Sequence, residues 1–325
     1  MLDLMICRIP GLKGREKVEL QKKFDKEEDF SLLSKVDIER LLGRSMKTGS
    51  WKMAELRATA ERDAALSAKL GIRLVSWREK EYPPLLREIF DPPALLFCRG
   101  FLPDPEKPLV AVVGTRKPSA GGGARAFTLG RELGEAGISV VSGLALGIDA
   151  MAHRGNIEGR ARTIAVLGSG PDMVYPSSNR DLARRILETG GCIVSEYPPG
   201  TGPLKWNFPE RNRIISALAR GTVIVEAPEK SGALITAQFA LDQDRDLWVD
   251  RASLGGKYSG GTVRLAEEGA GVISSAREIL AEWNMAVAEK KTENTGLGDG
   301  ALLASSLAKD LDITCQDSGG EDSLT

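Results

Sequence analysis

Short apolar runs that alternate with segments of helical spacing constrain the fold of this chain more than any other feature. The first run, LVAVVG at residues 109–114, is apolar almost throughout, as expected of a strand buried on both faces of a parallel sheet. Later runs read ISVVSG, TIAVLG, CIVSE, TVIVE and DLWV. Repeated β-α-β units with right-handed crossovers predict an α/β fold with a Rossmann-like, doubly wound and mostly parallel sheet.

Helical spacing of apolar residues marks the segments between these strands. Two further short strands are expected upstream, at residues 74–77 and 95–98, where paired prolines exclude one long helix. The predicted helices lie at residues 124–135, 147–154, 178–188, 210–219 and 232–243.

The chain divides into three predicted regions. Residues 1–70 look helical and polar, with helices expected at 16–24, 30–42 and 51–70. The turn IPGLKG before the first of these makes the region similar to a helix-hairpin-helix or SAM-like domain. Residues 71–289 form the predicted Rossmann-like domain. Residues 290–325 form a polar tail, predicted to be disordered apart from a short helix at 301–309.

Composition excludes several classes of protein. No apolar run approaches the 18 or more residues of a membrane helix, and the N-terminus lacks the features of a secretory signal. The cysteines form no CxxC pair, which argues against a zinc site or a disulfide framework and fits a reducing cytoplasm. Net charge is -1, but residues 110–220 hold 14 Lys/Arg against 9 Asp/Glu, a modest excess of five. Charge alone therefore does not decide for or against a nucleic-acid partner.

The ends of the predicted strands carry a candidate anion site. In a doubly wound sheet, ligands bind beyond the carboxyl ends of the strands. Glycine there lets backbone N–H groups approach an anion, and an arginine adds a fixed charge suited to phosphate. Tight turns also need glycine, so one such loop alone would be weak evidence. The residues at the ends of the first two strands are Gly114, Thr115, Arg116, Lys117, Ser142 and Gly143.

The loop YPPGTGPLKWNFPERNR, residues 197–213, points to nucleic acid more specifically. Basic residues interleaved with aromatic rings suit a single strand, because charge follows the backbone and rings stack on unpaired bases. For Trp206 alone, a core position is favoured. For Arg211 and Arg213, two roles stay open, DNA contact or pairing with an internal carboxylate. The candidate residues of this loop are Lys205, Phe208, Arg211, Asn212 and Arg213.

No arrangement of residues predicts catalysis. His153, the single histidine, lies in a predicted helix and is interpreted as structural. Glu196, Glu226 and Asp149 lie near strand ends and could do acid–base work, but such carboxylates more often orient arginines or cap helices. The chain has neither a Walker sequence nor GxGxxG, so no cofactor is predicted.

Several long motifs in order carry a resemblance to a known family. VAVVGTR, VVSGLALGIDAMAH, TIAVLGSGPDMVYPSSN, CIVSEYPPG, NFPERNRIIS and VIVEAPEKSGALITAQFAL resemble the DNA-processing protein A family, also called DprA or Smf. The upstream segment YPPLLREIFDPPALLFCRG resembles the entry segment of that family.

The resemblance implies a cytoplasmic homodimer that binds and protects single-stranded DNA and helps to load the recombinase RecA during natural transformation. It implies DNA contacts from Arg116, Lys205 and Phe208, which match the family's positions. Two departures stand out, Asp250-Arg251 where the family usually has Pro-Gly, and Thr262 where it usually has asparagine. The residues after 289 are too few for the winged-helix domain of many members, so that domain is predicted to be absent.

Two alternatives remain open from the sequence. The first is a nucleotide-binding enzyme, similar to lysine-decarboxylase-like phosphoribohydrolases, in which Glu196 or Glu226 would be catalytic. The second is an adaptor that acts mainly through protein contacts. The favoured interpretation is a single-stranded DNA-binding protein without catalysis, with RecA as a partner and no membrane association.

Overall fold

A nine-stranded sheet forms the centre of the described part of the protein, which in this computed structural model comprises residues 1–49 and 51–285. The strands alternate with helices after residue 109, as the pattern of apolar runs predicts. The strands are β1 (Arg73–Ser76), β2 (Leu95–Gly100), β3 (Leu109–Val113), β4 (Ser139–Ser142), β5 (Ile164–Val166), β6 (Cys192–Ser195), β7 (Gly221–Ile224), β8 (Asp246–Asp250) and β9 (Gly271–Ile273).

The strand order is β1-β2-β6-β5-β4-β3-β7-β8-β9. The seven strands from β6 to β9 in this spatial order pair parallel with one another. Strand β2 pairs antiparallel with both β1 and β6. The order reverses beside β3, which pairs with β4 on one side and with β7 on the other. Such a reversal opens a crevice at the carboxyl ends of the strands. The predicted Rossmann-like, mostly parallel sheet is confirmed.

Helices cover both faces of the sheet, with two short 3-10 turns at Ser177–Asn179 and Arg251–Ser253. The helices are α1 (Leu2–Cys7), α2 (Gly14–Lys23), α3 (Glu27–Ser31), α4 (Lys35–Leu42), α5 (Met53–Lys69), α6 (Pro84–Arg87), α7 (Ala120–Glu135), α8 (Ile148–Glu158), α9 (Arg180–Glu188), α10 (Asn207–Leu218), α11 (Ala233–Asp242), α12 (Gly260–Glu267) and α13 (Ala276–Glu282). No helix among the described residues is long and apolar enough to cross a membrane.

Strand β3 shows why its sequence is apolar throughout. Val110 and Val112 face a core shared with α7 and α8, whereas Ala111 and Val113 face a second core shared with α10 and α11. Successive side chains of a strand point to opposite faces, so both faces require apolar residues here. Each fully buried valine stabilises the fold by about 1.5–3 kcal/mol relative to exposure.

Helix α7 begins four residues earlier than the predicted start at 124. The Ser119 side chain accepts a hydrogen bond from the Gly122 N–H at 2.9 Å and caps the helix. The three glycines of the sequence PSAGGG therefore form the first turn, although glycine is a poor helix former. Gly122 meets a tertiary requirement, because a Cβ there would lie 1.8 Å from Glu226 Oε2.

The N-terminal helices depart from prediction in two places. Helix α1 was not predicted, and the helix expected at 30–42 is divided into α3 and α4. Ser34 has an extended backbone and caps α4 by accepting the Asp37 N–H, so a continuous helix through residue 34 does not form. The helices pack against Leu95 and Phe97 of β2 in one apolar cluster. The boundary near residue 70 stays a prediction, and the predicted tail at 290–325 lies outside the described residues.

Candidate nucleic-acid interface

The loop after β3 leaves the sheet at the point where the strand order reverses. Gly114 is required there, since a Cβ would lie 2.6 Å from Ile148 Cγ1 and 2.8 Å from the Glu226 carbonyl oxygen. The Thr115 N–H donates to that carbonyl at 2.7 Å, and the Thr115 carbonyl accepts from the Ile148 N–H at 3.2 Å. This fixed turn leaves Arg116 and Lys117 exposed at the carboxyl edge of the sheet.

Arg116 lies over an aromatic ring that comes from a distant part of the chain. Its guanidinium carbon is 5.8 Å from the centroid of Phe208, at the start of α10. The Phe208 ring also packs on Tyr175 with centroids 5.6 Å apart, a contact that sequence reasoning missed. Gly168, after β5, leaves room for the ring, because a Cβ there would lie 3.1 Å from Phe208 Cδ1. The structure thus brings a fixed cation and a half-buried aromatic ring together.

The turn before α10 exposes a lysine and a tryptophan. The Asn207 N–H donates to the Leu204 carbonyl at 3.0 Å, and Asn207 Nδ2 donates to the Gly168 carbonyl at 2.9 Å. Asn207 therefore takes the buried position of the turn. Lys205 is exposed, and Trp206 is 64% exposed. The expectation that Trp206 fills the core is wrong, because the amide beside it occupies the interior.

Arg211 lies beneath this rim rather than on it. Its Nη1 donates to the carbonyls of Gly143 and Val166, and the residue is only 4% exposed. Burial lowers the pKa of Arg211 to about 10. Burial raises the pKa of Asp149 while the charge of Arg211 opposes the rise, and Asp149 Oδ2 accepts the Gly143 N–H at 3.1 Å. Ser142 is also buried, and its hydroxyl donates to the Val112 carbonyl at 2.7 Å.

Arg213 is held by carboxylates inside the fold. Its guanidinium donates to both oxygens of Glu196, at 3.0 and 2.7 Å, and lies 3.6 Å from Asp91. Burial alone would lower the pKa of Arg213, but Glu196 outweighs it and holds the pKa above its ordinary value. Asn212 joins α10 to the loop after β7 by donating to the Gly232 carbonyl at 3.3 Å. For Arg211 and Arg213, of the two roles left open, this geometry favours the structural one.

Glu226, which the alternative enzyme interpretation requires, is engaged at the start of α7. Its Oε2 accepts from the Ser119 N–H at 3.0 Å and from the Ser119 hydroxyl at 3.2 Å. The residue is 4% exposed. A carboxylate at a helix N-terminus is stabilised by the helix dipole and by unpaired N–H groups. Glu226 therefore occupies the place that a phosphate takes in many nucleotide-binding sheets, and Glu196 is tied to Arg213.

His153 is buried and structural in its contacts, as its helical position indicates. Its Nδ1 lies 2.7 Å from Thr163 Oγ1, whose hydroxyl donates to the Val140 carbonyl. The hydroxyl proton is thus used, so the imidazole donates from Nδ1 and its Nε2 carries no proton. Burial lowers the pKa of His153 from 6.5 to about 3.

We expect His153 to make stability fall in mild acid. A pKa lowered by folding gives stability that is present above the unfolded value of 6.5 and is lost as pH falls toward 3. At about pH 5 the parent should have lost about 2 kcal/mol of unfolding free energy that a His153→Gln variant does not lose. Urea unfolding of both proteins across this range measures the difference. If the unfolding free energies of the parent and the variant change equally with pH, His153 is not held neutral by the fold.

The residues that build this site lie within a match to a known protein family. A sequence profile of the family described as DNA recombination-mediator protein A matches residues 73–284. The chain belongs to this family. Its resemblance to DprA and Smf proteins is thereby confirmed. The DNA processing protein DprA of Bacillus subtilis (strain 168) is 42% identical over 213 residues, which cover 65% of this chain and 71% of that protein.

Solved structures of the DNA recombination-mediator protein A family agree with the fold. DNA processing protein A from Streptococcus pneumoniae matches with a TM-score of 0.69 at 34% identity, over 85% of this chain and 95% of that one. DNA processing protein A from Helicobacter pylori, described for its single-stranded DNA binding mode, matches with a TM-score of 0.56 at 31% identity. That match covers 66% of this chain and 97% of the other.

The two positions that are expected to depart from the family pattern have partners inside the fold. Asp250 pairs with Arg125 at 2.6 Å, and its other oxygen accepts the Ala252 N–H at 3.0 Å in the turn after β8. Thr262 is buried and donates to the Ser259 carbonyl at 2.9 Å. An internal ion pair thus holds the turn after β8.

Proposed function

We propose that this protein binds single-stranded DNA at the carboxyl edge of its sheet, through Arg116, Lys205 and Phe208. The observation that carries the proposal is the guanidinium of Arg116 above the ring of Phe208, 5.8 Å from its centroid, with Lys205 exposed nearby in the chain. No ion pair joins Arg116 or Lys205 to another described residue, so both charges are available to phosphates. The related protein from Helicobacter pylori, studied for single-stranded DNA binding, supports the same ligand.

The aromatic ring favours a single strand over a duplex. A base can stack on Phe208 only when its face is not covered by a neighbour in a helix. Lys117, exposed beside Arg116, adds a further phosphate contact. Gly114, Thr115, Ser142 and Gly143 shape the backbone under the strand, and the interior contacts of Arg211, Asn212 and Arg213 hold α10 in place beneath it.

The salt dependence of binding tests the phosphate contacts. Removing one contact to a single strand flattens the slope of log K against log salt by about 0.7. We expect this change for Arg116→Ala and for Lys205→Ala, measured by fluorescence anisotropy with a labelled oligothymidylate and with a duplex for comparison. Lys107 and Arg162 are exposed residues that precede β3 and β5, so they lie at the opposite edge of the sheet.

The matched controls Lys107→Ala and Arg162→Ala should keep the parent slope. If both rim variants bind like the parent, the assignment of the site is wrong. If the duplex binds as tightly as the single strand in the parent, the preference for unpaired bases is wrong.

We infer that the protein acts without catalysis of its own. The two carboxylates that a phosphoribohydrolase would use are engaged, Glu226 by Ser119 and Glu196 by Arg213. Incubation with nucleoside monophosphates should leave them intact by chromatography. Release of free base would overturn this inference and favour the enzyme alternative.

The wider role follows from the family. DNA processing, protection of incoming strands, loading of RecA and assembly as a homodimer in the cytoplasm are parts of this proposal. A pull-down with RecA as bait should retain this protein more strongly when single-stranded DNA is present. Light scattering should give the mass of a dimer. Retention of RecA that is independent of DNA, together with weak DNA affinity, would favour the adaptor alternative.

A further inference from the structure

A groove lies between the first turns of α7 and α8, beside the proposed DNA site. Its volume is about 520 Å³, within the range of about 300–1,000 Å³ typical of small-molecule pockets. Small and apolar side chains dominate its lining, with one cation. The residues that line the groove include Pro118, Ala124, Leu146, Ala150, Met151 and the cation Arg154.

The groove and the Arg116–Phe208 pair share the same loops. The loop after β4 forms the wall between them, since a Cβ on Gly147 would lie 2.5 Å from the Thr115 carbonyl oxygen and 2.7 Å from that of Arg116. Asn179 lines the groove and holds this wall by donating to the Leu144 carbonyl at 2.9 Å. The loop that carries Asn179 also carries Tyr175, which packs on Phe208. This loop therefore borders both the groove and the ring of Phe208.

The lining suits nucleobases and a phosphate. Leu146, in the loop after β4, is 45% exposed, and Met151 of α8 is half-buried. The exposed Arg154 lies against Met151, with Nη1 3.6 Å from the sulfur. Arg154 is the single charged side chain among the described residues that line the groove. Apolar side chains can contact the faces of bases, while this cation can meet the negative backbone.

We propose that the groove holds further nucleotides of the same DNA strand, beyond those at Phe208. This extension rests on the proposed function, because continuity with the Arg116–Phe208 site selects the occupant. Short oligonucleotides fill only the site at Phe208, whereas longer ones also reach the groove past Leu146. The strand then contacts Arg154 by a phosphate and Met151 by a base.

Filling the groove tests this extension. Ala124 is exposed on the first turns of α7, so Ala124→Phe places a ring in the groove without removing a polar contact. Affinity of the parent for oligothymidylates should rise with length and then level off. The variant should level off at a shorter length and bind the longest oligonucleotide about tenfold more weakly, with the shortest unaffected. Ala58→Phe, at an exposed alanine of α5, is the matched control and should behave as the parent.

A second variant keeps the test independent of any folding defect. Arg154→Gln should flatten the salt slope by about 0.7 for long oligonucleotides and leave it unchanged for short ones. If both variants retain the parent's length dependence, the groove is not part of the strand's path. The same conclusion follows if they weaken short and long oligonucleotides equally. If the parent itself binds no single strand, the proposed function fails, and this extension fails with it.

Discussion

An Arg211→Met variant should lose about 3–5 kcal/mol of unfolding free energy, because removal of one partner leaves a buried charge without compensation. The guanidinium of Arg211 serves the carbonyls of Gly143 and Val166, and its charge opposes the effect of burial on Asp149. Methionine has similar length and no charge. It leaves two carbonyl acceptors and one carboxylate without their cation in an interior that excludes water.

The pH dependence identifies Asp149 as the source of the loss. Burial already raises the pKa of Asp149 in the parent, and without Arg211 this pKa should rise further. A raised carboxyl pKa means that the folded state disfavours the ionised form. The resulting loss of unfolding free energy is present at neutral pH and is relieved as pH falls through the folded pKa. The difference in unfolding free energy between parent and variant, measured by urea unfolding, should therefore become smaller in acid.

Arg131→Met, on the exposed side of α7, provides the control and should cost less than about 1 kcal/mol, since its pairing with Glu135 is at the surface. A difference between the Arg211 variant and the parent that is the same at neutral and acid pH would exclude Asp149 as its origin. A loss no larger than that of the control would show that Arg211 is not needed inside the fold.

The sheet could be predicted from the sequence because its signal is local. A strand buried on both faces is expected to be apolar at nearly every position, and β3 satisfies this within five residues. Predictions failed where a tertiary contact overrode local preference. The first turn of α7 contains glycines, of which Gly122 must leave room for Glu226. Trp206 is exposed because Asn207 fills the position beside it.

The candidate site was predictable in part for a similar reason. Arg116 follows a strand end, and topology alone places that end at the ligand edge of the sheet. The contact of Phe208 with Tyr175 joins residues that are distant in sequence, and nothing in the local pattern indicates it. The buried position of Arg211 was equally hidden, because a basic residue within a basic and aromatic loop has the same local pattern whether it faces DNA or the interior.

Phe208→Leu should weaken binding of single-stranded DNA by about 5- to 150-fold, the equivalent of one lost base stack. Leucine keeps most of the apolar volume but has no aromatic face. The salt slope should stay at the parent value, because it counts phosphates and not stacked bases. Arg116→Ala, in contrast, should change the slope. The two effects should not be additive, since the guanidinium lies over the ring.

Anisotropy with the labelled oligothymidylate over a salt series gives both quantities for each variant. Phe101 is an exposed phenylalanine whose N–H donates to the Gly191 carbonyl before β6, so it lies at the opposite edge of the sheet. Phe101→Leu should therefore bind as the parent does. Thermal unfolding of both variants separates a lost stack from a lost fold. Parent-like affinity in a folded Phe208→Leu variant would mean that no base stacks on this ring, and a flattened slope would mean that the substitution acts through Arg116.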